Sequence, residues 1–181
     1  MKYFFSADLH LGHGNIIKYC NRPFRDADHM NKRLIDEINM RCTSEDVLFH
    51  VGDFCCRGTE RGVARVKTKA QEWMKMINPQ VIHIRGNHDN NNSVKIPLLS
   101  AIVSVGKYVV RLGHRPPWEP EIPDMPFVDV YVCGHVHEKW TTAEYCGKPV
   151  INVGVDVHAF RPISIGELVN MIEKLKQRKE K

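Results

Sequence analysis

The ten residues Gln80-Val81-Ile82-His83-Ile84-Arg85-Gly86-Asn87-His88-Asp89 pass from a strand-like run straight into a turn crowded with polar side chains. Gln80–Ile84 is short, apolar and rich in β-branched residues, which reads as a strand. Gly86 lets the backbone turn sharply close to neighbouring chain, and Asn87, His88 and Asp89 then stand at the strand's carboxyl end. Upstream, Lys2–Ala7 and Val47–Val51 read the same way, ending in Asp8-Leu9-His10 and Gly52-Asp53. Met30, Leu34, Ile35 and Ile38 make a helical stripe behind a cap at Asp26 or Asp28. Val63, Val66, Ala70, Trp73 and Ile77 make a second stripe. The order β-α-β-α-β predicts a parallel sheet with crossover helices and a ligand site beyond the carboxyl ends of its strands.

The second half changes character. Ala101–Val105 and Val109–Leu112 flank Gly106-Lys107, a hairpin-like join, and lead to Gly113-His114. Val130–Cys133 leads to Gly134-His135-Val136-His137, and Trp140–Tyr145 can pair with Val150–Val153 across Cys146-Gly147-Lys148-Pro149. Ser164-x-x-Glu167 is a capping box opening a last helix with Leu168, Val169, Ile172 and Leu175 inward. The expected architecture is a two-sheet β-sandwich with helices on its outer faces.

Composition sets bounds. At 181 residues with 43% apolar content, the expectation is a single domain over 1–181. No repeat or low-complexity tract divides it, and no apolar run approaches the ~20 residues needed to span a bilayer. The opening Lys2-Tyr3-Phe4-Phe5 has no signal-peptide pattern, so a cytoplasmic protein without a membrane partner is expected. Six cysteines lack any C-x-x-C spacing and read as free thiols. Net charge is +5, part of it in the tail Lys174–Lys181, which reads as a solvated helix end. No nucleic-acid-binding motif accompanies that tail, so a nucleic-acid partner is conceivable but unsupported.

Five of the ten histidines lie inside the five polar blocks. Histidine is the commonest metal ligand, and these blocks add Asp8, Asp53 and the amide oxygen of Asn87. Alternate residues on an extended segment point the same way, so Asp8 and His10 can share one cation. Two divalent cations against two ligand carboxylates and a bridging hydroxide leave a positive site, which suits a phosphate ester. Paired metals about 3.5–4 Å apart generate such a hydroxide and stabilise both oxygens of an in-line displacement. With no thiolate in the set, Mn²⁺, Fe, Zn²⁺ and Ni²⁺ are all admissible by ligand type, and Mn²⁺ is the one expected first.

The ordered pattern D-x-H…G-D…G-N-H-D…G-H…G-H-x-H over residues 8 to 137 resembles that of the calcineurin-like metallophosphoesterase superfamily. Asp8-Leu9-His10-Leu11-Gly12-His13, Asn21-Arg22-Pro23-Phe24 and Asn152-Val153-Gly154-Val155-Asp156 resemble its compact bacterial and phage members. The fourth block, Leu112-Gly113-His114-Arg115-Pro116, departs from the commoner Cys-His-Tyr-Pro but keeps its histidine. The resemblance implies a four-layered α/β/β/α sandwich, two central mixed sheets flanked by helices. It implies that Asp8, His10 and His137 hold one metal, that Asn87, His114 and His135 hold the other, and that Asp53 bridges them. It gives His88 a catalytic role at the phosphate and leaving group, and makes Asp89 an orienting residue behind the ligands.

The expected activity is hydrolysis of a small phosphate ester, a nucleotide-like diester above all, through the bridging hydroxide. A phosphomonoesterase and an inactive scaffold on the same fold are the competing readings. His13, Arg22 and Arg57 are candidates for substrate binding, against loop capping for His13 and plain surface positions for the arginines. His50 and His83 lie within strands and read as core histidines. Trp118 either stacks on a nucleobase or pins its Pro-rich loop. Oligomeric state is left open by the sequence.

Overall fold

The computed structural model describes residues 1–56, 69–89, 96, 98–119 and 121–179. Its first sheet contains β1 (Tyr3–Ser6), β2 (Val47–Val51), β3 (Gln80–Ile84) and, later in the chain, a two-residue β9 (Ile163–Ser164). The second contains β4 (Ser100–Val105), β5 (Tyr108–Gly113), β6 (Val130–Cys133), β7 (Thr142–Tyr145) and β8 (Lys148–Asn152). The spatial orders are β3-β2-β1-β9 and β4-β5-β6-β8-β7. Strands β1, β2 and β3 are parallel and β9 is antiparallel to β1. In the second sheet β5, β6 and β8 are parallel, while β4 and β7 join as antiparallel edges. Both sheets are therefore mixed, as expected.

Side-chain alternation builds the layers. Phe4 and Leu48 face outward and are covered by α2 (Ala27–Arg41), which buries Met30, Leu34 and Ile38. Phe5, Val51 and Ile84 face inward and meet Val110, Leu112, Val132 and Ile151 of the second sheet. Helix α4 (Ile165–Lys179) inserts Leu168 and Ile172 into that same core. Outside the second sheet, Tyr131, Cys133 and Val150 pack with Val128, Met125 and Trp140.

Local signals explain the boundaries. Asp26 caps α2 by accepting the His29 backbone N–H at 2.8 Å. At α4, Ser164 N–H donates to Glu167 at 2.7 Å and Glu167 N–H donates back to Ser164 Oγ at 3.3 Å. The β7–β8 hairpin turns on Cys146 and Gly147, both at positive φ. Of the second expected helix, only α3 (Ala70–Met74) is described; Val63 and Val66 fall outside the described residues, and buried Ile77 follows the helix end. The short α1 (Gly14–Tyr19) and β9 were not anticipated, since six and two residues carry no periodicity to read. No described helix is long and apolar enough to cross a membrane.

The sheets meet at their carboxyl ends, and that junction gathers the polar blocks. Gly134 N–H donates to His114 carbonyl, and Val153 N–H to Cys133 carbonyl. Across the sandwich, Ala7 N–H donates to Val153 carbonyl at 3.1 Å, and within the first sheet Asp8 N–H donates to Gly52 carbonyl at 3.0 Å. Strand ends far apart in sequence are thus stitched into one continuous rim.

Candidate metal centre

Asp8, His10, Asp53, His135 and His137 all have φ between 50° and 71°. Non-glycine residues rarely adopt this left-handed region, which costs about 1–3 kcal/mol each and concentrates at functional sites. It also corrects the expectation that Asp8 and His10 converge by strand alternation. β1 ends at Ser6, and the two residues turn toward each other by left-handed backbone instead.

The turns close on one another with no space left over. A Cβ on Gly86 would strike the Asp53 carboxylate and backbone, and one on Gly134 would lie 2.7 Å from Asp8 Oδ2. Asp89, buried, accepts N–H groups from Asp53 at 2.9 Å, Phe54 at 3.0 Å and Gly86 at 2.7 Å. It therefore ties the second block to the third. His88 N–H donates to Asp53 Oδ1 at 2.9 Å, and His135 N–H donates to Asp8 Oδ2 at 2.9 Å.

Two groups of donor atoms result. Those of Asp8, His10 and His137 lie within 4.8 Å of one another, and so do those of Asp53, His114 and His135. Asp53 Oδ2 stands 3.4 Å from His10 Nε2 and 3.3 Å from His114 Nε2, between the groups. Asn87 Oδ1 joins the second group, 3.0 Å from His114 Nε2. His10 Nε2 and Asp53 Oδ2 are buried and have no hydrogen-bond partner among the described residues. A polar atom desolvated without a partner is costly, so this pair is a cradle for cations. The residues present fit divalent metals.

Outer contacts select which ring nitrogen faces inward. His114 Nδ1 lies 2.9 Å from the Val51 carbonyl, and His137 Nδ1 lies 3.0 Å from Asp156 Oδ2. Both engage Nδ1 and leave Nε2 for the centre, the usual support of a metal-bound histidine. Asp156 is gripped in turn by Arg22, whose guanidinium also donates to the carbonyls of Asp8 at 2.7 Å and Leu9 at 3.1 Å. The burial of Arg22 and the saturation of its fork correct its expected role as a substrate clamp. Arg57 lies outside the described residues.

Charges respond to this packing. Burial pushes the Asp8 carboxyl up to about 6. Burial works the same way on Asp53, but the His114 and His10 imidazoles and the His88 N–H outweigh it and hold that carboxyl well down. Burial disfavours the His114 cation, yet the carboxylates of Asp53 and Asp8 raise it to about 9. His137 is raised to about 10 by Asp156 against burial, and His135 is lowered to about 4 by burial and the nearby His114.

Around the rim, the exposed His88 ring stands 5.1 Å from the His10 ring and makes no hydrogen bond among the described residues. His13 begins α1 without capping it, its Nδ1 3.4 Å from His10 Nδ1. Glu119, not singled out from sequence, reaches His135 Nε2 at 3.2 Å and Arg115 at 2.6 Å. Cys20 joins His137 and Asp156 in a third cluster within 4.8 Å. Asp156 was visible only as part of a resembling segment, and Arg22 was read as a substrate clamp, because their pairing spans 134 positions. Trp118 packs on Trp140 at 5.6 Å and Tyr145 at 6.3 Å, which places it among loop-pinning contacts.

Comparisons with known proteins agree with this geometry. The model of the calcineurin-like phosphoesterase family matches residues 1–139. An uncharacterized protein of Methanocaldococcus jannaschii is 31% identical over 176 residues, covering 96% of this chain and 92% of the relative. The crystal structure of a protein of unknown function from Aquifex aeolicus superposes with a TM-score of 0.69 at 23% identity, covering 94% of this chain and 99% of that one. The chain belongs to the calcineurin-like phosphoesterase family.

Proposed function

We propose that this phosphoesterase is a dinuclear, metal-dependent phosphodiesterase acting on small nucleotide-like diesters. The observation that carries the reading is the buried Asp53 Oδ2, without a hydrogen-bond partner among the described residues and flanked by His10 Nε2 at 3.4 Å and His114 Nε2 at 3.3 Å. Asp8, His10 and His137 would hold one cation, Asn87, His114 and His135 the other, and Asp53 would touch both. Two divalent ions, Mn²⁺ in our proposal, supply Lewis acidity that activates water and offsets phosphoryl charge.

The remaining steps fall to the chain's own residues. Asp156 and the Val51 carbonyl fix the ring orientations of His137 and His114 before substrate arrives. Asp89 holds the third block so that His88 projects at the mouth, where its imidazole can donate a proton to the departing ester oxygen. His13, beside His10 and 6.2 Å from the His88 ring, is placed to contact a phosphoryl oxygen. Arg22, a candidate clamp, is withdrawn into the scaffold and offers no fork to a phosphate at the centre. A diester monoanion needs less cationic help than a monoester dianion, which favours the diester.

The test is turnover of bis-p-nitrophenyl phosphate against p-nitrophenyl phosphate by chelated protein reloaded with Mn²⁺. Higher kcat/KM on the diester is expected. Preference for the monoester would move the assignment to a phosphomonoesterase, and no turnover of either would overturn it.

A further inference from the structure

A cavity of about 330 Å³ opens beside the second group of candidate ligands. Asn87 and His114 form its inner wall, and Arg85, Arg111 and Arg115 line it. That volume is at the lower end for small-molecule pockets, enough for one compact polar group and part of its linker.

Two of the three cations there are left without an acid among the described residues. Arg115 pairs with Glu119 at 2.6 Å. Arg85 and Arg111 form no ion pair or side-chain hydrogen bond among the described residues, although both are half-buried. Burial pulls the Arg111 guanidinium below its ordinary value, the mark of a cation desolvated without a counter-ion. Arg111 would be expected to point plainly outward from β5. Instead, its guanidinium lies over Gly113, where a Cβ would sit 2.7 Å from Nη1. Glycine at that position lets the cation reach the strand end that carries His114.

Three guanidiniums against one carboxylate, in a concave site, match an oxyanion. Planar forks bind phosphate with paired hydrogen bonds, and the charge-assisted bonds are the strong ones. We propose that this pocket is a subsite for a second, terminal phosphate of the substrate, carried on the arm that leaves the reacting phosphorus past Asn87 and His114. The inference rests on the phosphoesterase reading and narrows its substrates to diesters with a phosphate-bearing substituent.

Two arms test it. In the first, inorganic phosphate is titrated into the metal-free full-length chain by calorimetry. Saturable binding is expected, weakened about tenfold or more in Arg111→Gln and in Arg85→Gln, the loss of one charge-assisted contact. Arg111→Lys, which keeps the charge without the fork, should fall between, and circular dichroism checks that each variant is folded. Binding unchanged in both glutamine variants overturns the subsite.

In the second arm, Mn²⁺-loaded protein hydrolyses thymidine 5′-(p-nitrophenyl phosphate) with and without a 3′-phosphate. The phosphate-bearing ester should have the higher kcat/KM by about tenfold, and Arg111→Gln should bring the ratio close to one. Equal rates in the wild type overturn the proposal. Equal advantage when the 3′-phosphate is esterified to another nucleoside also overturns it, in favour of an oligonucleotide. Phosphate binding that depends on Arg85 and Arg111, with no turnover of any ester, would support the subsite and overturn the phosphoesterase reading instead.

Discussion

Arg22 and Asp156, 134 positions apart, form a buried two-point ion pair, Nε to Oδ1 at 2.8 Å and Nη2 to Oδ2 at 2.8 Å. The same guanidinium holds the Asp8 carbonyl, and the same carboxylate holds His137. Scaffold and candidate ligands are therefore one network. Arg22→Ala leaves the buried Asp156 carboxylate with His137 alone and should destabilise the fold by about 3–5 kcal/mol in urea unfolding. Asp156→Asn should keep two Mn²⁺ sites per chain but weaken them about 10–100-fold in calorimetry, as loss of an orienting partner does. Unchanged affinity would show that His137 needs no such orientation.

His88 and His135 should fail differently. His135→Ala removes a proposed ligand and should lower metal occupancy together with activity. His88→Ala should leave both metals bound and slow turnover by about 10²–10⁴-fold, the usual worth of a positioned acid. The loss should shrink for esters with good leaving groups, which need little protonation. Parallel loss of metal in His88→Ala would make His88 a ligand.

Gly52 and Gly147 share a positive φ, at +94° and +75°, but not their surroundings. A Cβ at Gly52 would enter the His114 ring, whereas one at Gly147 meets nothing within 4 Å. Gly147→Ala should cost only the backbone strain, about 1–2 kcal/mol. Gly52→Ala should add about 1–3 kcal/mol of overpacking and displace a candidate ligand. Denaturant midpoints of both variants, with metal binding for the second, check the contrast.

His50 and His83 are cross-strand partners whose rings lie 5.7 Å apart, with no hydrogen bond at any ring nitrogen among the described residues. Burial, together with the neighbouring His83 ring, holds His50 well below 6.5, and burial takes His83 to about 4. The unfolded chain therefore binds protons that the native state refuses between about pH 6.5 and 4. The contribution of His83 to stability should fall as pH drops through that window, and His50 acts in the same direction. In His83→Phe, urea midpoints should decline less steeply with acid than in the wild type; an identical slope would contradict the assignment.

Much of this was legible because strand ends carry the chemistry. Val47–Val51, Gln80–Ile84 and Val130–Cys133 have the boundaries their apolar runs predict, and each delivers its polar block. What eluded sequence reading depends on tertiary closure. Left-handed φ at Asp8 and His10 comes from the Gly52 and Asp53 carbonyls that accept their N–H groups, not from local propensity. Arg111 alternates within a strand like any surface residue until Gly113 is seen to admit it. Arg22 looked available in a loop, yet its guanidinium is consumed by groups from three segments, Asp8-Leu9, Met30 and Asp156.

The most direct test of the centre is anomalous diffraction at the manganese edge from crystals grown with Mn²⁺. Two peaks per chain are expected, one among Asp8, His10 and His137 and one among Asn87, His114 and His135, with Asp53 reaching both. A single peak, or one held by Cys20, His137 and Asp156, would contradict the dinuclear account.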